Sequence, residues 1–201
     1  MTFSLWNVRL GKMKVRFWTV QKLAVVTAII QHGTYQPVFE YSDYAESIPG
    51  LQDLYGFILD SYNYANGTEH PGLIYTFLEQ KEDQSIYDFE DYASFKKFIC
   101  EHSFAIKSLW NNLASKDTVI MCLEREVEGM NILPIDINDF QYMMPPVMNV
   151  PPYSEDYYNF LLRNIANGIP VKSIFPSGVL QAHLPNIRAE DVYGIYPMFE
   201  L

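Results

Sequence analysis

Cysteine is nearly missing from this chain: there are two in 201 residues, Cys100 and Cys122, each inside a segment that reads as regular structure. Two isolated thiols build no disulfide framework, and a free Cys behaves mostly as a small buried apolar residue. Long apolar runs are missing as well. The longest, Leu23 to Ile30, falls far short of the roughly 20 residues that cross a bilayer, and it lacks the small-residue cleavage site of a secretory leader. A soluble, cytoplasmic protein in a reducing compartment is the economical expectation. Positive charge is scarce, with 14 Lys and Arg against 24 Asp and Glu and a net charge of −10. General nucleic-acid binding, which draws its affinity from cations neutralising phosphates, is not expected. The sequence also has no Gly-rich phosphate loop, no G-x-S-x-G elbow, no H-E-x-x-H and no C-x-x-C pair, which removes the most legible enzyme classes.

What the chain does have is a core. Hydrophobic residues make up 49%, and the 15 Tyr and 13 Phe are far too many for a disordered segment. A chain of this length buries roughly 70% of its unfolded surface and suits one domain. Residues 1–12 carry little pattern and are set apart as an N-terminal appendage, with Met13 a second candidate for the start of translation and 13–201 read as a single domain. The cations Arg9, Lys12, Lys14, Arg16 and Lys22 all precede the first acid, Glu40. The acids Glu79, Glu82, Asp83, Asp88, Glu90 and Asp91 crowd one stretch, which reads as a solvated loop or as a partner surface.

Periodicity supplies the elements. Val15 to Val20 reads as a clear strand and runs into a helix over Lys22 to His32, with Leu23, Val26 and Ile30 on one face and Gly33 placed to end it. Leu51, Leu54, Tyr55, Ile58, Leu59 and Tyr62 mark a second helix between Pro49 and Asn66-Gly67. Leu73 to Leu78 has the composition of a buried strand. A long helix is predicted from about Asp91 to Leu113, its stripe formed by Tyr92, Phe95, Ile99, His102, Ile106, Leu109 and Leu113. Thr118 to Leu123 and Ile132 to Ile135 follow as strands. Asp136 or Asn138 then caps a brief helix ending before Pro145, because proline disfavours helix in the residue before it. The prolines from Pro145 to Pro152 make a stiff connector, Ser154 caps a helix that stops at Asn167-Gly168, and Val179 to Leu184 and Val192 to Phe199 close the chain as strands. Strands at both ends with helices between them, without a regular βαβ rhythm, predict an α+β domain: a mixed or mostly antiparallel sheet with four to five helices packed on it, first and last strands included.

Polar residues are weighed against their ordinary uses. Asp136, Asn138 and Asp139 are spaced like the start of a calcium loop, but the turn glycine and distal Glu are missing, so a helix cap is the better reading and no metal site is assigned. Cys100 and His102 are two apart on a helix and so on different faces, with no further soft ligands nearby in sequence, so core packing of both is expected over metal ligation. Gln181 and His183 share one face of their strand, opposite Leu180, Ala182 and Leu184, and so point where a half-buried sheet meets solvent or a cleft.

Several short motifs resemble the bacterial domain of unknown function 3841. Phe17-Trp18-Thr19-Val20-Gln21 is similar to that family's opening Leu-Trp-Thr-Ile-Gln strand, with Gly33-Thr34-Tyr35 following at the right distance. Ile132 to Met144 matches without gaps a family stretch of the form Val-Leu-Leu-Ser-Asp-Phe-Asp-x-Trp-His-x-Val-Leu, and Gln181-Ala182 and Ile187 to Ile195 resemble its closing strands. The resemblance covers about Met13 to Phe199. It departs at Gln141, where the family tends to have His, at Pro185, where it has Trp, at Asn186, where it has Glu, and in a middle strand without tryptophan. The family implies no activity.

Two functions from different classes remain. The first is a binding or interaction domain with a regulatory or mobile-element accessory role, whose acidic face and many tyrosines contact a protein or small-molecule partner, and whose tyrosine-rich surface permits a homodimer. The second is an ADP-ribosyltransferase-like NAD-binding enzyme or degenerate enzyme, by analogy of layout alone. There Trp18, Thr19, Tyr35 and Tyr75 would line a nicotinamide-sized cleft, and uncharged Gln181 would stand where such a fold uses Glu. The candidate ligand-binding set is therefore Trp18, Thr19, Gln21, Tyr35, Tyr75, Gln181 and His183. No catalytic residue is assigned, and no cofactor is required by the first reading.

Overall fold

The computed structural model describes residues 14–42, 49–82, 86–127, 132–169, 171 and 175–201. The N-terminal appendage, the alternative start at Met13 and Asp83 of the acidic stretch lie outside the described residues.

The opening is as the sequence predicts. Strand β1 (Lys14–Lys22) passes directly into helix α1 (Leu23–His32), which ends where Gly33 takes a left-handed conformation (φ 74°) and its N–H returns to the Ile29 carbonyl at 2.8 Å. Only glycine adopts that conformation without strain. A two-residue strand, β2 (Thr34–Tyr35), follows, then helix α2 (Pro49–Asn66), strand β3 (Ile74–Gln80) and strand β4 (Ile86–Tyr87). Asp91 caps helix α3 (Tyr92–Glu101) through a reciprocal box with Ser94, satisfying otherwise orphaned N–H groups. The long helix expected over this region is instead two, because at His102 the backbone leaves helical geometry (ψ 19°) and α4 (Ser103–Leu113) starts anew. There the imidazole Nδ1 bonds the Phe98 carbonyl at 2.9 Å, sharing an acceptor with the main-chain ladder.

Strand β5 (Thr118–Glu126), the short β6 (Ile135–Asp136) and helix α5 (Phe140–Val147) come next. The expectation that this helix stops before Pro145 is corrected, since it runs through Pro145 and Pro146. Met143, Pro146 and Val147 are buried in the core, and Met148 N–H still reaches the Met144 carbonyl at 2.9 Å, so packing holds a turn that local preference disfavours. Helix α6 (Glu155–Ala166) begins after Ser154. That residue is placed as a cap, but its hydroxyl makes no capping bond; Glu155 and Asp156 supply the favourable charge at the positive end of the helix. Strands β7 (Val179–Leu184), β8 (Ile187–Arg188) and β9 (Val192–Pro197) finish the chain.

The strands form one seven-stranded sheet in the order β6-β7-β3-β1-β5-β9, with β4 paired to β3, and a separate ribbon of β2 and β8. Every described pairing is antiparallel, and six α-helices among the described residues accompany the sheet, one more than expected because of the break at His102. The first and last long strands, β1 and β9, flank β5 within this sheet. This is an α+β domain.

Register assigns each side chain to a face, because directly opposed residues of antiparallel strands point the same way. Phe17, Leu123, Leu78, Leu180 and Leu184 belong to one face, covered by Val25 and Ile29 of α1 and by the β2–β8 ribbon. Trp18, Phe77 and Cys122 belong to the other, covered at one end by α3, α4 and Phe199 of the C-terminal tail, and at the other by α2, α5 and α6. An ion cluster around the buried Asp191 closes the α1 side: buried Arg125 and exposed Arg188 both donate to it. Burial opposes ionisation of this carboxyl, but the hydrogen bonds from Arg188 and Arg125 outweigh it and hold its pKa below the usual range.

Candidate functional site

The seven residues singled out by the sequence divide between the two faces. Trp18, Tyr75, Gln181 and His183 share the helical face: Trp18 lies opposite Phe77, Phe77 opposite Gln181, and Tyr75 opposite His183. Thr19 and Gln21, odd neighbours of Phe17 on β1, belong to the α1 face, and Tyr35 packs there from β2. The set is thus not brought to one concavity. Trp18 is fully buried, stacked on Phe95 at 4.9 Å with its indole N–H donating to the Phe89 carbonyl at 3.1 Å. Thr19 Oγ1 donates to the Tyr75 carbonyl at 2.7 Å and accepts from Gln21 Nε2 at 2.9 Å. These are the bonds of satisfied interior polar groups.

Gln181 and His183 face neither solvent nor an open cleft. Both faces of β7 are covered, so alternation of polar and apolar residues does not mark an exposed side here. Under α2 they join Tyr55 in a closed chain. His183 Nδ1 lies 2.7 Å from the Leu133 carbonyl, and the Gln181 amide lies 3.3 Å from His183 Nε2 and 3.3 Å from the Tyr55 hydroxyl. Burial lowers the His183 pKa to about 4, against which the Leu133 hydrogen bond acts only in part, so the ring is neutral at pH 7. A neutral imidazole donates from one nitrogen only. With Nδ1–H directed at Leu133, Nε2 must accept, which requires the Gln181 amide to present its N–H to His183 and its oxygen to the Tyr55 hydroxyl. Tyr75 meets the His183 ring edge-on at 5.4 Å, and burial raises its own pKa. The arrangement rigidifies the sheet–helix seam but offers no route for a substrate.

The acidic stretch is similarly engaged in folding. Asp88 accepts the Arg16 backbone N–H at 2.8 Å, Asp91 is the α3 cap, and Glu79 pairs with Lys81. Asp136 caps the turn at Ile137–Asp139 through Asn138 N–H at 2.8 Å and also accepts from the Ser177 and Gly178 backbones at 2.9 and 3.2 Å. Among the described residues no group of three or more His, Cys, Asp or Glu is disposed to hold a metal ion, and no helix is long and apolar enough to cross a membrane.

Open surface lies elsewhere. One feature is an apolar groove of about 240 Å³ between α1 and β9, with Val26 and Ile30 on one lip, Val192 and Ile195 on the other, and Met121 at its base. The expected stripe of Leu23, Val26 and Ile30 is not the buried face of α1; the sheet receives Val25 and Ile29, while Leu23 is 48% and Ile30 78% exposed. The helix is apolar on both sides, and periodicity cannot choose between them. The signal available in advance was the composition of α1, which has no charged residue before His32. β9 beside it is a poor template for strand addition, because it is short, carries a bulge opposite Cys122 and Leu123, and contains Gly194 and Pro197. The second feature is a polar cleft of about 510 Å³ between α2 and α6, lined by Asp60, Tyr64, Glu69, His70 and Arg163 among others. Compared with known proteins, the chain matches no family model, no curated protein and no solved structure.

Proposed function

We propose that this chain is a binding domain for another protein, and that the groove between α1 and β9 receives an amphipathic segment of that partner, apolar on the side it inserts and basic on the other. The observation that carries this reading is α1 itself. A helix apolar around its circumference is ordinarily buried on all sides, yet here Leu23 and Ile30 stand in solvent, and Ile30 lines the groove with Ile195, itself 46% exposed. The basic character of the partner follows from charge: a protein of net charge −10 accelerates the approach of cations and slows that of anions. The blunted edge of β9 directs the partner onto the groove rather than into the sheet. A regulatory or accessory role, and kinship with the domain of unknown function 3841, rest on the sequence motifs and are part of this proposal.

The probe is an amphipathic Leu/Lys peptide of about five helical turns, titrated by fluorescence anisotropy into the full chain. Binding should weaken at least tenfold in the double variant Ile30→Ser, Ile195→Ser, and should weaken as salt is raised. Equal affinity of wild type and variant would overturn the reading. So would sedimentation showing a wild-type dimer that the variant abolishes, since the groove would then belong to a second copy.

A further inference from the structure

We infer that the cleft between α2 and α6 is a second, separate binding site, and that it takes a short peptide of two or three residues with both ends free. The cleft is built from two helices and the turn that follows α2. Its shape is fixed by Asn63, whose side chain accepts from Thr68 Oγ1 at 3.0 Å and from the His70 N–H at 2.9 Å while donating to the His70 carbonyl at 2.9 Å. A second tie crosses between the helices, where the Tyr158 hydroxyl of α6 donates to Asp60 Oδ2 of α2 at 3.0 Å. The walls are therefore held in place without a ligand.

The charges on those walls are not used up by the fold. Arg163 on α6 forms no salt bridge or side-chain hydrogen bond among the described residues, and neither does Glu69 on the turn; Asp60 keeps one carboxylate oxygen beyond its bond to Tyr158. The lining thus holds a free cation on α6, carboxylates on α2 and on the turn after it, and apolar surface from Leu59, Leu162 and the ring of Tyr64. The cleft suits a molecule that is anionic at one end, cationic at the other and apolar in the middle. A peptide of two or three extended residues spans roughly 7–11 Å; its terminal carboxylate is assigned to Arg163 and its ammonium to Glu69 and Asp60. The volume lies within the range of small-ligand pockets. A guanidinium recognises a carboxylate by paired N–H donors, which is why the ligand's anionic end is assigned to Arg163.

The test uses the full chain, isotope-labelled, with the tripeptide Ala-Phe-Ala in three forms: both ends free, N-acetylated and C-amidated. The free peptide should produce saturable NMR shifts at Asn63, Tyr64 and Arg163, and blocking either end should weaken binding about tenfold. Arg163→Gln should erase the preference for a free carboxylate and leave the preference for a free amine; Glu69→Gln should do the converse. Both residues are exposed, and matching melting curves of the variants would confirm that the fold is kept. No saturable shift at millimolar peptide, or blocked forms that bind as well as the free one, would overturn the proposal. A preference that survives the loss of its matching side chain would do the same. None of these outcomes touches the α1–β9 groove, where the Leu/Lys peptide is tested independently.

Discussion

The two faces of the sheet are built on different terms. The helical face is covered by α2 through α6 and is rich in rings: Trp18, Phe77, Phe89, Phe95, Phe98, Trp110 and Phe199 pack together on one half of it. The opposite face is mainly aliphatic, with Phe17 its one fully buried ring among the described residues, and carries one ten-residue helix and a two-stranded ribbon. Large rings fill the wide space under several helices and bury 150–250 Å² each. A single short helix cannot cover six strands, so the face it guards keeps an open apolar margin. Stability is concentrated on the first side and accessible apolar surface on the second.

The largest expected effect that tests this division is Trp18→Ala. Its ring is fully buried, stacked on Phe95 and within 5.5 Å of Tyr196, and its indole N–H is satisfied by Phe89. Its removal should cost about 3–5 kcal/mol in denaturant unfolding. A loss below about 1 kcal/mol would mean that the aromatic half relaxes around the cavity and is not the rigid side.

Next in size is a pH effect confined to the helical face. The folded-state pKa of His183 is about 4 against an ordinary value of 6.5, so between these values the unfolded chain binds the proton and the folded chain does not. Stability is therefore full above pH 6.5, falls as pH drops toward about 4, and changes no further from this group below that. With about 1.4 kcal/mol per pKa unit, the loss amounts to about 3 kcal/mol. His183→Asn keeps a donor for the Leu133 carbonyl but does not titrate in this range. The difference between wild-type and variant unfolding free energies, followed from pH 7 to pH 4, should show this slope. Parallel curves would place His183 in contact with water and reopen the seam as a cleft.

Much of the architecture was legible in the residues because it is decided locally. Short runs of strand composition located β1, β3, β5 and β7; Gly33 and Asn66-Gly67 located the ends of α1 and α2; and the missing βαβ rhythm indicated α+β. What was not legible depends on distant partners. Gln181 and His183 look half-exposed in their strand, and only the placement of α2 over β7 reveals that Tyr55 completes their hydrogen bonding. Pro145 ends a helix by its own preference, and the burial of Met143 and Val147 overrides it. Trp18 and Thr19 are consecutive on a strand and so must point to opposite faces, a constraint that their joint membership of a family-like motif obscured. The candidate site suffered most, because polar residues in an aromatic sheet serve the interior as often as a ligand, whereas the groove is made of residues with no chemical signature.

The smallest effect, that of truncating Ile30, is the most discriminating, since it is read against a neighbour of the same type. Ile29 and Ile30 are consecutive on α1, but the first is buried against the sheet and the second is 78% exposed at the groove. Truncating Ile29 to Ala removes methyl groups from a packed interior and should cost about 2–5 kcal/mol. Truncating Ile30 to Ala removes contacts with little but water and should change stability by no more than about 0.5 kcal/mol, while weakening the Leu/Lys peptide. Thermal melts of the two variants measured side by side would separate the roles. Should Ile30→Ala destabilise the isolated chain as much as Ile29→Ala, the outer side of α1 would already be occupied by another part of the protein. The exposed margin would then be a packing surface of the fold, and the partner inferred for it would have no place to bind.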